Sequence, residues 1–328
     1  MIISKTPYRI SFFGGGTDYP NWYRRYGGEV LSSTINKYIY ISSRFLPSFF
    51  DHKYRIVYSD IELVNKVKEI RHSVIREIIK KTKIKHGIEF HYDGDLPARS
   101  GMGSSSSFVV GCMNVFFSLM NKKLSKEELA YKSVEFEQKV LKEIVGSQDQ
   151  VATAHGGFNS IKFYKNGNYK VNKLKIKKNI KKKLNKRLFL VFTGNQRRAH
   201  DIAGLYVKNL PFKKKQMFEL LGFVEKAKKY LLNDKLDDFG YLLNESWQKK
   251  KELSKKISSN FFDSIYSLAL RNGALGGKIL GGGGGGFFLF YVEENKISNF
   301  LRTFNTFTIV PFEFEEEGSK IIFNNHNG

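Results

Sequence analysis

Apolar and polar residues alternate from Ile2 to Phe13 (IISKTPYRISFF), the two-residue period of a strand, and the run stops at the turn-forming GGGTDYP. The stretches EVLSSTINKYIYISSRFL (29–46) and KYRIVYSD (53–60) are rich in β-branched and aromatic residues and predict further strands. Between 61 and 83 Leu, Val and Ile recur at helical spacing, which predicts a helix. GIEFHYDGDLP (87–97) alternates again and ends at Pro97, and the apolar run after it predicts a helix from Ser105 to about Met120. SKEELAYKSVEFEQKVLKEIVG (125–146) predicts another helix, with Ser125 and Glu128 at the spacing of a capping box. GGFNSIKFY (156–164) reads as a strand.

Beyond a lysine-rich run, RLFLVFTG (187–194) predicts a short buried strand, and helical periods cover about 213–232, 236–253 and 261–272. GGKIL and FFLFYVE predict two strands flanking six glycines, NKISNFLRTF (295–304) a helix and FTIVPFEFE (307–315) a last strand. Strands and helices alternate on both sides of about Lys186, so the pattern predicts an α+β protein in two halves, 1–186 and 187–328.

Composition adds constraints. A chain of 328 residues with 41% apolar residues, 29 Phe and 17 Tyr can bury large cores and is not a disordered polymer. The 55 basic and 31 acidic residues give a formal charge of +24, which raises a nucleic-acid hypothesis. The charges are spread along the chain, however. In the densest run, KLKIKKNIKKKLNKR (173–187), Leu and Ile interrupt the lysines as on a solvated surface helix or hairpin. No aromatic stacking motif lies among clustered basic residues, so no nucleic-acid partner is expected, and the positive field suits anionic small molecules instead. The single Cys112 allows no intramolecular disulfide and no cysteine-based zinc site. Lys5 and Arg9 interrupt the first apolar stretch, so it does not read as a signal peptide, and no window of about 18 uncharged apolar residues predicts a membrane helix. These features lead to an expectation of a cytoplasmic protein with no membrane partner.

ARSGMGSSSSFVVG (98–111) carries the strongest chemical signal. A flexible Gly/Ser linker would not be followed at once by a helix body. A plain helix cap needs one serine and leaves Gly101 and Gly103 unexplained. Two glycines before a helix N-terminus let the backbone turn several N–H groups toward one anion, and serine hydroxyls add donors for phosphate and ligands for Mg²⁺. The stretch lacks the Gly-Lys-Ser/Thr of the common P-loop and the third glycine of the dinucleotide fingerprint. Two other glycine clusters keep alternatives open. PYRISFFGGGTDYP (7–20) is either a hairpin turn capped by Asp18 or part of a site. The six glycines 281–286 demand bare backbone for a ligand or for another loop passing close, or form a floppy tip. In EFEQKVLKEIVGSQDQVATAHGG (135–157), Glu137 on a helix and Asp149 in the following loop are carboxylates able to hold a metal or take a proton, unless the segment is only a helix exit.

Pro7-Tyr8-Arg9, PARSGMGSSSS (97–107) and KILGGGGGGF (278–287) occur in the order of the three motifs of the GHMP kinase superfamily, and across about 280 residues the chain resembles that family. The resemblance implies a ribosomal-S5-like first domain, a ferredoxin-like second domain and an active site between them. Glycines stand where galactokinases have the Glu and His of G-E-H-T-D-Y. RISFFGGGTDYP, GSQDQVATAHGG and FTGNQRRA resemble instead the bacterial branch acting on D-glycero-D-manno-heptose 7-phosphate, and fucokinase-like kinases of free sugars share part of this pattern.

That resemblance implies ATP and Mg²⁺ as cofactors and a sugar phosphate as acceptor, phosphorylated on its anomeric 1-hydroxyl. Pro97, Arg99, Ser100, Gly101, Met102, Gly103, Ser104, Ser105, Ser106 and Ser107 would surround the ATP phosphates. Ser105 and Glu137 would hold Mg²⁺, Asp149 would be the catalytic base, and Arg9 would stabilise the transferring group. Gly15, Gly16, Thr17, Asp18, Gly156, Gly157, Gly282 and Gly283 would meet the substrate, with Arg197 and Arg198 as a clamp for its phosphate. A non-catalytic regulator would be expected to lack Asp149 or Glu137, and both are present. Homo-oligomers are common among sugar kinases, but nothing in the chain specifies an interface.

Overall fold

A computed structural model describes residues 1–194, 207 and 210–325. A large sheet forms around two long strands, β1 (Ile2–Phe13) and β2 (Gly28–Leu46), antiparallel neighbours along most of β1. Helix α1 (Pro20–Tyr26), with Pro20 in its first turn, joins them. The second half of β2 pairs with β5 (Gly87–Gly94), which continues to β3 (Tyr54–Val57) and β4 (Ile61–Val64). Its first half pairs with β6 (Phe158–Phe163), followed by β7 (Tyr169–Lys173).

Helix α3 (Ser104–Leu119) packs across β1 and β2. Its run from Phe108 to Phe116 is apolar nearly all round, and a helix without a polar face must be buried on every side. Helices α2 (Ser73–Thr82), α4 (Lys126–Glu135) and α5 (Gln148–His155) surround it. The capping box forms as expected: Ser125 Oγ accepts from Glu128 N at 3.2 Å, and Glu128 Oε2 accepts from Ser125 N at 2.8 Å.

After α6 (Lys178–Lys186), strand β8 (Leu188–Phe192) opens a second antiparallel sheet with β9 (Ala274–Ile279), β10 (Phe287–Val292) and the two-residue β11 (Ile309–Val310), in the order β11-β8-β10-β9. Helices α7 (Lys214–Leu232), α8 (Leu236–Lys251), α9 (Asn260–Arg271) and α10 (Ile297–Thr303) complete this half. The chain then returns to the large sheet. Strand β12 (Phe314–Glu315) pairs with β2, and β13 (Lys320–Asn324) pairs with β1. No helix among the described residues is long and apolar enough to cross a membrane.

Several elements differ from the expectation. The helix expected over 61–83 begins only at Ser73. Ile61–Val64 is an edge strand whose Glu62 is buried, accepting from Arg71 N and from His72 N at 3.0 Å. The helix expected to run to Gly146 leaves the α geometry at Phe136, where a wider five-residue turn takes over. Asp149 stands in the first turn of α5 rather than in a loop. The last strand is split between the two sheets across Pro311. The lysine-rich run holds both a strand end and the amphipathic helix α6, whose Ile180 and Leu184 are buried while its lysines face outward.

Candidate active site

The motifs converge on one cavity of about 530 Å³, within the usual range for small-molecule sites. Its floor is an ion pair. Arg9 on β1 donates from Nε to Asp149 Oδ1 and from Nη2 to Asp149 Oδ2, both at 2.6 Å, and from Nη1 to Gly101 O at 2.8 Å. This fork fixes the carboxylate plane and ties it to the glycine–serine loop. Gly103, at φ +75°, favours a bare backbone: a Cβ there would be strained and would stand 3.2 Å from both Arg9 and Asp149 Oδ2, tight enough to displace the fork slightly. Residues 140 apart in the chain thus become one unit.

The glycine–serine loop supplies one wall, through Arg99, Gly101, Gly103, Ser104, Ser105 and Ser106. Helix α3 starts here with Gly103 as its N-cap, so its first backbone N–H groups and the positive end of its dipole border the cavity. Four other residues of the expected phosphate loop do not line it. Met102 is in the core, Ser107 donates to Pro7 O at 3.2 Å, and Pro97 and Ser100 lie behind the wall. The six-glycine segment closes against this loop, with Phe287 N donating to Ser100 O at 3.1 Å. A Cβ on Gly101 would fall 2.4 Å from Leu280 O and one on Gly286 2.2 Å from Ser100 O. The bare backbone at Gly281 and Gly286, the two ends of the run, is therefore required by the glycine–serine loop.

Asp18 forms the opposite wall with Gly15 and Gly16. It is fully buried, accepting from Gly16 N at 2.9 Å and from Gln148 N at 3.4 Å. Burial, with the nearby Asp149 charge, pushes its pKa up to about 6. Gly146 makes room for it, since a Cβ there would lie 1.9 Å from Asp18 Oδ2.

Four of the expected substrate contacts, Thr17, Gly156, Gly157 and Gly283, do not line this cavity. Thr17 faces away, donating to Gly14 O at 2.7 Å and Glu29 O at 3.0 Å to hold the turn. Gly283 lies under Ile257, outside the cavity wall. Gly156 and Gly157 pack under the C-terminal segment: a Cβ on Gly156 would meet Gly318 N at 2.1 Å, and Gly157 N donates to Glu315 O at 3.1 Å. Gly282 does line the cavity. Arg197 and Arg198 lie outside the described residues.

Glu137 sits behind the wall on the wide turn Phe136–Val140. One oxygen accepts from Gln150 Nε2, and Oε1 has no hydrogen-bond partner. Burial, opposed by bonds from Gln150 and Ser106, pushes its pKa up to about 8. The serine against Glu137 is Ser106, which is buried, whereas Ser105 is exposed at the rim. A buried carboxylate oxygen without a donor, beside a hydroxyl and an anion-binding loop, fits a hard cation such as Mg²⁺, which takes few protein ligands and completes its shell with phosphate and water. Among the described residues no group of three or more His, Cys, Asp or Glu could hold a metal by itself.

Sequence reasoning missed two lysines. Lys250 ends α8 and Lys278 lies on β9; both are buried and line the cavity. A signal existed for Lys250, since it stands on the buried face of α8, one turn after Ser246 and Trp247.

Two family models match the chain: the GHMP kinases N terminal domain over residues 65–157 and the GHMP kinases C terminal domain over residues 227–307. The D-glycero-alpha-D-manno-heptose 7-phosphate kinase of Campylobacter jejuni is 34% identical, over 97% of this chain and 98% of the relative. The chain belongs to the GHMP kinase family. Its kinase fold also superposes on a solved D-glycero-D-manno-heptose 1-phosphate kinase from Bacteroides thetaiotaomicron, with a TM-score of 0.82, 26% identity and 99% of this chain and 100% of that chain covered. Lactococcus lactis galactokinase, solved with galactose, shares the fold at 17% identity and a TM-score of 0.75, covering 97% of this chain and 94% of that chain. This GHMP kinase is accordingly a sugar kinase of α+β architecture, of a family that uses ATP as phosphate donor.

Proposed function

We propose that this kinase transfers the γ-phosphoryl group of ATP to the anomeric 1-hydroxyl of D-glycero-D-manno-heptose 7-phosphate, giving the 1,7-bisphosphate. The observation that carries the reading is the Arg9–Asp149 fork at the base of a cavity with an anion-binding helix N-terminus on one wall and a buried carboxylate on the other. The 34% identity to a heptose 7-phosphate kinase over nearly the whole chain supports the acceptor. The B. thetaiotaomicron protein is described as acting on a heptose 1-phosphate, so the two names disagree on which phosphate precedes the reaction. The more similar sequence carries more weight here.

In this reading the N–H groups of Ser104–Ser106 and the loop glycines hold the ATP phosphates. Asp149 accepts the proton of the attacking hydroxyl, while Arg9 fixes its carboxylate and faces the developing charge. Asp18 hydrogen-bonds sugar hydroxyls, and Gly15 and Gly16 leave space for the ring. Glu137 with Ser106 would hold Mg²⁺, which when bound neutralises phosphate charge. Arg197 and Arg198 remain the proposed clamp for the acceptor's own phosphate. The division into 1–186 and 187–328 stands as the proposed domain organisation, with the C-terminal strands bound back to the first half. A cytoplasmic location is proposed on the same footing.

The test is ADP release with a panel of sugars and sugar phosphates. Turnover is expected with heptose 7-phosphate and not with free fucose or free heptose. Equal or better turnover of the free sugars would support instead a fucokinase-like enzyme, a reading in line with 23% identity to the Arabidopsis thaliana bifunctional fucokinase/GDP-fucose pyrophosphorylase, of which the match covers 27%.

A further inference from the structure

Lys250 and Lys278 are a pair of buried lysines that feel the charge of Asp18 but form no ion pair among the described residues. Each has three donors. Lys250 uses one on Gly281 O at 2.6 Å and Lys278 one on Phe12 O at 2.9 Å. Among the described residues neither has a carboxylate within ion-pair distance, and no other hydrogen bond occupies their ammonium groups. Both border the same cavity. An unpaired buried charge is costly, and two side by side cost more, so a fold that keeps both has a further partner for them.

Their position says which partner. Gly281, which anchors Lys250, presses on Gly101 of the glycine–serine loop: a Cβ on Gly281 would stand 2.8 Å from Gly101 Cα. Gly101 O in turn holds Arg9 Nη1. Phe12, which anchors Lys278, is three residues from Arg9 on the same strand. The two lysines are thus tied, through Gly281 and Phe12, to the elements that hold the Arg9–Asp149 fork, and Asp18 lines the same cavity. The local electrostatics agree. Desolvation, then repulsion from Arg9, pushes the Lys250 pKa down to about 8, and desolvation with repulsion from Lys250 and Arg9 pushes that of Lys278 well down, with Asp18 opposing both shifts. Both fields would reverse on arrival of an anion.

We infer that Lys250 and Lys278, with Arg9, form the seat of the phosphoryl group in transit, binding it as the terminal phosphate of the donor and holding it while it passes to the acceptor. The inference rests on the phosphoryl-transfer reading. In the step, the acceptor oxygen–phosphorus bond forms as the bond from phosphorus to the ADP oxygen breaks, and the hydroxyl proton goes to Asp149. The lysines exchange no proton; they neutralise the equatorial oxygens. They also answer a question raised by the glycine–serine loop, which has no lysine of its own: the cations come from the other half of the chain.

The experiment compares binding of ADP with binding of the non-hydrolysable imido analogue of ATP by calorimetry, so it does not depend on the acceptor. In Lys250→Met and Lys278→Met the analogue should weaken by roughly tenfold or more, the size of one charge-assisted hydrogen bond, with ADP within about twofold of wild type. Thermal stability should stay level or rise, because Met replaces a buried charge without an ion pair. Should a Met variant fail to fold, Lys250→Gln carries the same comparison. Equal loss for ADP and the analogue, or no loss for either, overturns the inference. So does a loss confined to binding of the acceptor sugar phosphate. Failure of the proposed function looks different: wild type would still favour the analogue over ADP but would not turn over the sugar phosphate.

Discussion

Gly101 and Gly103 border the cavity, whereas Gly156 and Gly157 lie under the C-terminal segment. Both pairs adopt positive φ, and both stand beside polar residues. At Gly103 the missing Cβ leaves room for the Arg9–Asp149 fork and for whatever binds over it. At Gly156 the missing Cβ lets the backbone of Glu317 and Gly318 pass within van der Waals contact. A bare backbone therefore marks close approach, and only the neighbouring charges tell whether the visitor is a ligand or the chain itself.

Five outcomes sharpen or break that contrast. The largest is at the fork. Asp149→Asn should lower kcat by about a thousandfold, the scale of a lost general base, and leave nucleotide affinity little changed in direct binding. Retained turnover would remove Asp149 from the reaction and reduce the fork to a packing feature like Gly156. Next, Gly156→Ala should cost about 3 kcal/mol of stability in denaturant unfolding, from overpacking and a left-handed backbone, with KM for the acceptor sugar unchanged. Gly103→Ala should do the reverse, with kcat down about tenfold, a 1.4 kcal/mol effect on the barrier, and a stability loss near that of an ordinary positive-φ glycine. If Gly156→Ala raises KM instead, the expectation that it meets substrate revives.

Asp18 gives a pH-dependent outcome. A carboxyl whose folded pKa is raised costs stability as pH rises from its unfolded to its folded value, here from 3.8 to about 6. Asn carries no such charge. Unfolding free energies at pH 4 and pH 7 should show Asp18→Asn gaining on wild type by about 2 kcal/mol across that interval, while its affinity for the acceptor falls. A constant difference between the two pH values would mean that Asp18 ionises normally. The smallest effect separates the serines. Ser106→Ala should raise the Mg²⁺ concentration for half-maximal rate more than Ser105→Ala does, by several-fold, the scale of one hydroxyl ligand.

Much of this architecture could be read along the chain. The strand periods of β1, β2 and β5, the capping box at Ser125 and the three ordered glycine motifs are local patterns, and local physics produced them. The misread segments depended on distant partners. Ile61–Val64 is a strand because Tyr54–Val57 is beside it and Glu62 caps the loop at Arg71. The early end of the helix after Ser125 comes with the burial of Glu137, which no helical period records. At the site, Arg9, Asp18 and Asp149 were legible because motifs flagged them. Lys250 and Lys278 were not, since a lysine in a basic chain carries no signal until its burial is known. The choice of Ser106 over Ser105 beside Glu137 depended on the exact helical phase of α3, which a run of four serines hides.

The most direct test of the account is the phosphorus NMR spectrum of the product formed from ATP and D-glycero-D-manno-heptose 7-phosphate. The account predicts one new resonance coupled to the anomeric proton, with the 7-phosphate resonance retained and one ADP formed per product. Phosphorylation at any other hydroxyl, or ATP left intact with this acceptor, would contradict it.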